Sequence, residues 1–171
     1  MTIALRNTKI FGRVGELKIL KDGYDRVSQT GFGEIVFIGA PSSYRKTTLV
    51  NAFISENSVY HTVGKADEAL RGVPYSAILK ALFDFVSPGT ISDLTTLRDD
   101  SSVTSPARAR DRCASAIQSH ARPTNPLVLF IDDLQWLDES SPQLIRSFSE
   151  GCFRDILAIG TYRSDTTSDF H

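Results

Sequence analysis

The 171 residues are enough for one domain with a substantial core and too few for two comfortable ones. Hydrophobic residues make up 41% and charged residues 23%, the balance of an ordinary globular chain. Nineteen Lys and Arg against twenty Asp and Glu leave a net charge of −1, which removes the electrostatic argument for a nucleic-acid partner or a membrane surface.

The N-terminal MTIALRNTKIFGR is too polar for a signal peptide, and no apolar run approaches the ~18 residues of a membrane span. Arg13 to Val27 carries apolar residues close to a helical period, and Gly31-Phe-Gly33 ends that segment. Glu34 to Gly39 is a short apolar run, as expected of a strand buried on both faces. A helix follows over Lys46 to Asn57, with Leu49, Val50, Phe53 and Ile54 on one face. Ser58 to Val63 reads as a second strand, and Pro74 opens a helix over Tyr75 to Val86.

Residues 87–107, rich in Ser, Thr, Asp and Pro, read as a surface excursion. Ser105-Pro106 supplies an N-cap and a first-turn proline for a helix to about Ala121. Its Arg108, Arg110 and Arg112 are two apart, so they spread around the helix as a solvated surface. Pro126 to Asp132 is a third buried strand, ending in Asp132-Asp133. Ser141-Pro142 starts a further helix closed by Gly151, and Ile156 to Tyr162 is a fourth strand ending near Arg163. Alternating strands and helices predict an open α/β parallel sheet within a single domain over 1–171. Such sheets bind ligands at the carboxyl ends of their strands. Three polar features sit there: the loop after Gly39, the Asp132-Asp133 pair and Arg163.

GAPSSYRKTTLV, Gly39 to Val50, is close to the phosphate-loop pattern G-x-x-x-x-G-K-[ST], but no glycine precedes the lysine. If Gly39 fixes the spacing, Tyr44, Arg45 and Lys46 replace the glycine, the lysine and the Ser/Thr. If Lys46-Thr47 are the working pair, Arg45 replaces the glycine and the loop is one residue too long. Helix phase favours the second register, because Leu49 then lies where the pattern's helix turns to the sheet. Gly39, Ser42, Ser43, Arg45, Lys46, Thr47 and, as a substitute, Thr48 are therefore the candidate phosphate-binding residues. A non-glycine residue with positive φ carries strain of about 1–3 kcal/mol, which opposes binding, while a rerouted longer loop or the Arg45 charge beside the phosphates would favour it; the sequence leaves both outcomes open.

Asp132 at a strand end suits Mg²⁺, which takes oxygen ligands, with Thr47 as the hydroxyl ligand. Asp133 is a candidate to polarise an attacking water, and Arg163 to contact a γ-phosphate. Trp136 reads as packing. His61, His120 and His171 show no metal spacing. Cys113 and Cys152 stand in no metal or redox spacing, which fits reduced thiols in a cytoplasmic protein.

Together FGRVGELKIL, VFIGAP…KTTLV, VGKAD, RGVPYSAILKALFDFV, LVLFIDDLQWLDESS and IGTYRSD resemble the origin-recognition-complex-like AAA ATPase domain of STAND-type P-loop signalling ATPases. The resemblance runs from about Phe11 to Asp165. It implies a P-loop NTPase three-layer sandwich of strand order 2-3-4-1, ATP and Mg²⁺ as cofactors, and Walker motifs at Lys46-Thr47 and Asp132-Asp133. It also implies a sensor role for Arg163 and an adenine-side position for Phe11 and Arg13. Other domains or subunits of a signalling regulator are the implied partners. The chain is expected to stop before the fifth strand and helical lid of such a domain. The expected function is ATP binding with weak or partner-dependent hydrolysis. The alternative is a non-catalytic interaction module that keeps the fold without nucleotide.

Overall fold

The computed structural model describes residues 2–5, 14–83 and 106–164. Phe11, Arg13 and the excursion up to residue 105 lie outside them; Pro106 and Ala107 already belong to the following helix. In chain order the elements are β1 (Thr2–Leu5), α1 (Val14–Thr30), β2 (Glu34–Ala40), α2 (Lys46–Asn57) and β3 (His61–Lys65). Then come α3 (Ser76–Phe83), α4 (Pro106–His120), β4 (Leu127–Asp132), α5 (Ser141–Ser149) and β5 (Ile156–Arg163).

All strand pairs are parallel, and the sheet order is β1-β2-β5-β4-β3. The four strands expected from the sequence thus appear in the expected order 2-3-4-1. A fifth, β1, lies outside that expectation; it pairs with the outer edge of β2. The second strand also begins later than the expected Ser58. Ser58 caps α2 in a left-handed conformation, φ 49°, so the chain turns before it pairs. It extends instead through Gly64, where a Cβ would collide with the Ala77 carbonyl oxygen. Only glycine lets α3 approach the strand so closely.

β4 shows why the sheet is covered on both faces. Alternate side chains of a strand point to opposite sides. Val128 and Phe130 join Leu20, Val27, Leu49 and Phe53 in the core beneath α1 and α2. Leu127, Leu129 and Ile131 join Ile78, Cys113, Ile117, Leu144 and Phe148 in the core beneath α3, α4 and α5. The result is a three-layer α/β sandwich. Each fully buried Leu, Ile or Phe in it contributes about 1.5–3 kcal/mol relative to exposure. Both cysteines are free. Burial, with Asp138 as the second cause, pushes the Cys113 thiol up to about 12.

Candidate functional site

Parallel pairing brings the strand ends to one edge. Ala40 lies opposite Arg163, and Lys65 opposite Asp132. The loop, the acidic pair and Arg163 therefore meet, as the strand pattern requires.

On the loop side, β2 runs through Gly39 to Ala40. Gly39 is hemmed in by a side chain, since a Cβ there would collide with the Tyr162 ring. Pro41 to Arg45 separate Ala40 from Lys46, the same separation as between the first glycine and the lysine of the phosphate-loop pattern. The surplus residue counted from Gly39 is thus absorbed by the strand. Ser42–Tyr44 form one tight turn, closed by the Tyr44 N–H on the Pro41 carbonyl at 3.2 Å. Arg45 then adopts φ 45° and ψ 44°, and α2 begins at Lys46. The residue in place of the pattern's second glycine holds the left-handed conformation glycine serves best. Arg45, Ser42, Ser43 and Thr48 are exposed, whereas Lys46 is buried. The Lys46 ammonium donates to the carbonyls of Ala40 at 2.8 Å and Pro41 at 3.2 Å.

On the acidic side, Asp132 ends β4 with its carboxylate drawn into three bonds. Thr47 Oγ1 donates to Oδ2 at 2.9 Å, although 85 residues separate the two. Thr161 Oγ1 donates to Oδ1, and so does the Asp133 N–H, at 3.2 Å. Thr161, wholly buried on β5, also accepts from the Asp133 N–H at 3.2 Å. Asp133 takes φ 60° and swings the chain out of the strand into the short turn Leu134–Trp136. Its Oδ1 accepts from Gln135 Nε2 at 3.0 Å, and its Oδ2 faces the Lys65 ammonium at 3.5 Å. Gln135 Oε1 in turn accepts from the Arg163 N–H at 3.2 Å.

Of the residues singled out by sequence, Thr47, Asp132, Asp133 and Arg163 converge with the loop and Lys46. Thr47, not Thr48, reaches Asp132. Trp136 packs at the rim of the core, with the Arg71 guanidinium 5.7 Å above its ring. Among the described residues no group of His, Cys, Asp and Glu side chains is arranged to hold a metal by itself. Sequence reasoning missed Thr161, Gln135 and Lys65. Thr161 left one signal: a hydroxyl in the otherwise apolar run ILAIGTY, where a buried polar group needs a partner. Asp138, the third acid of DDLQWLD, is structural. It accepts from the N–H groups of Ser140 and Ser141 and the Ser141 hydroxyl at the start of α5.

A buried parallel sheet, a loop leading into a helix N-terminus and an acid facing that helix's hydroxyl define a P-loop type of α/β domain. A profile of the AAA ATPase domain matches residues 9–151, and the chain belongs to that family. No curated protein matches the sequence. Among solved structures, a point variant of Thermotoga maritima RuvB is similar with a TM-score of 0.48 at 17% identity, covering 89% of this chain and 39% of its own. Drosophila ORC bound to DNA is similar with a TM-score of 0.42 at 16% identity, covering 91% of this chain and 82% of its own. The chain thus spans about two fifths of the RuvB chain's length. Among the described residues no helix is long and apolar enough to cross a membrane.

Proposed function

We propose that this AAA ATPase domain is the ATP-binding module of a STAND-type signalling ATPase, with weak or partner-dependent hydrolysis. The observation that carries the reading is the Thr47–Asp132 hydrogen bond. It joins two hard oxygen donors from separate elements at a helix N-terminus, a donor set that fits Mg²⁺. Thr47 and Asp132 would hold the ion, which would supply positive charge against the phosphates. The first N–H groups of α2 and those of Ser42, Ser43 and Arg45 are suited to bind phosphate. Lys46 exchanges its loop carbonyls for phosphate oxygens. Phe11 and Arg13 belong to the adenine side of the same proposal. Asp133 orients the attacking water, and Arg163 responds to the γ-phosphate. Turnover is weak because the Lys65 ammonium engages Asp133, and because Arg45 brings a side chain where glycine lets a ligand approach. A partner domain or subunit that draws Lys65 away from Asp133 raises it.

ATP titration by calorimetry tests this reading against Lys46→Ala. The expected result is measurable binding that the substitution abolishes; equal binding by both proteins overturns the assignment of Lys46.

One observation favours the second reading, a non-catalytic interaction module. The Lys46 ammonium already has carbonyl partners, and Arg45 stands in the left-handed position. On that reading no nucleotide at millimolar concentration shifts the melting temperature.

A further inference from the structure

We propose that Gln135 is a positioning residue that couples the Asp133 carboxylate to the end of β5. The residue is only 7% exposed, and its side chain touches both. Nε2 donates to Asp133 Oδ1 at 3.0 Å, and Oε1 accepts from the Arg163 N–H at 3.2 Å. The two partners fix the amide's orientation. Turning it over would set oxygen against carboxylate and NH₂ against N–H. Neither a hydrocarbon nor a carboxylate at this position makes both bonds.

The Asp133 main chain is already held. Its N–H bonds Thr161 and Asp132, and its carbonyl accepts from the Trp136 N–H at 2.9 Å. The remaining freedom is rotation of the carboxylate. Lys65 restrains one oxygen weakly, across 3.5 Å and from a side chain 61% exposed. Gln135 restrains the other from within the protein. A shift of the β5 end therefore reaches Asp133 through one amide. The inference rests on the reading that Asp133 orients water, and it gives Arg163 a main-chain route to that carboxylate besides any contact of its guanidinium.

The test uses the full chain as wild type, Q135L and Q135E, each with and without D133N. The first readout is the Arg163 amide resonance in nitrogen-15 NMR. D133N moves that resonance in the wild-type background, and the movement is lost in Q135L. The second readout is steady-state ATP hydrolysis. Q135L and Q135E lower kcat about tenfold with KM within about twofold. Q135E keeps the acceptor for Arg163 and serves where Q135L fails to fold. An Arg163 resonance that responds to D133N equally in all backgrounds overturns the coupling. So does a Q135E enzyme with wild-type kcat. If the wild type alone hydrolyses no ATP, turnover depends on a partner, and the amide resonance by itself decides the coupling.

Discussion

The two halves of the site are built differently. The acidic half is a closed lattice: Asp132, Asp133, Thr161 and Gln135 bond one another across β4, β5 and the turn between β4 and α5. It rests on the core that holds Leu134 and Leu137. The loop half is exposed from Pro41 to Arg45 and turns on a non-glycine residue with positive φ. Buried polar networks gain stiffness when every member is satisfied. The acidic half is thus set before any ligand arrives, whereas the loop half has its conformation left to be stabilised by what binds there.

The largest expected effect lies in the core beneath the acidic half. The folded Cys113 thiol keeps its proton up to about 12, while the ordinary value is 9.0. Between those values the folded state binds more protons than the unfolded one, so stability falls as pH rises. The Cys113 share is about 1.4 kcal/mol per pH unit. Tyr24 and Tyr75, raised by burial above 10.0, add with the same sign. Urea midpoints measured across this range should fall less steeply in Cys113→Val. Next in size, Asp133→Asn should leave ATP affinity nearly unchanged and lower any turnover about a hundredfold. Loss of binding equal to that in Lys46→Ala would contradict the division of labour between the halves.

Thr161→Val removes a buried hydroxyl from both Asp132 and the Asp133 N–H, and should cost about 2 kcal/mol in chemical denaturation. Arg45→Gly should do the opposite on the loop side. Relief of the left-handed conformation stabilises by about 1 kcal/mol, and ATP binding tightens by up to about tenfold. Ser43→Ala, in the exposed turn, should change stability by less than about 0.5 kcal/mol. A Thr161→Val protein as stable as wild type would erase the contrast between the halves.

How much of this was legible follows from which forces act locally. LVLFI could only be a doubly buried strand, and the phase of Leu49 picked Lys46-Thr47 before any contact was seen. The missing glycine marked position 45 as one where a left-handed conformation is strained, and the structure shows that Arg45 adopts it. β1 escaped because four residues, TIAL, carry too little periodicity to stand out. The second strand was placed too early because Ser58 and Val59 look like strand residues, although Ser58 caps the preceding helix. Thr161 and Gln135 matter only through partners on other elements, and no local pattern encodes such pairings. The spacing of DDLQW placed the acids at the edge without revealing that its glutamine reaches a different strand.

The most direct test of the central claim, that Thr47 and Asp132 form the metal side of a nucleotide site, is calorimetric titration of ATP with and without Mg²⁺. It compares the wild type with Thr47→Val. The account predicts that Mg²⁺ tightens ATP binding to the wild type and that Thr47→Val loses this gain while still binding metal-free ATP. No binding by the wild type at millimolar ATP, or an undiminished Mg²⁺ effect in Thr47→Val, would contradict it.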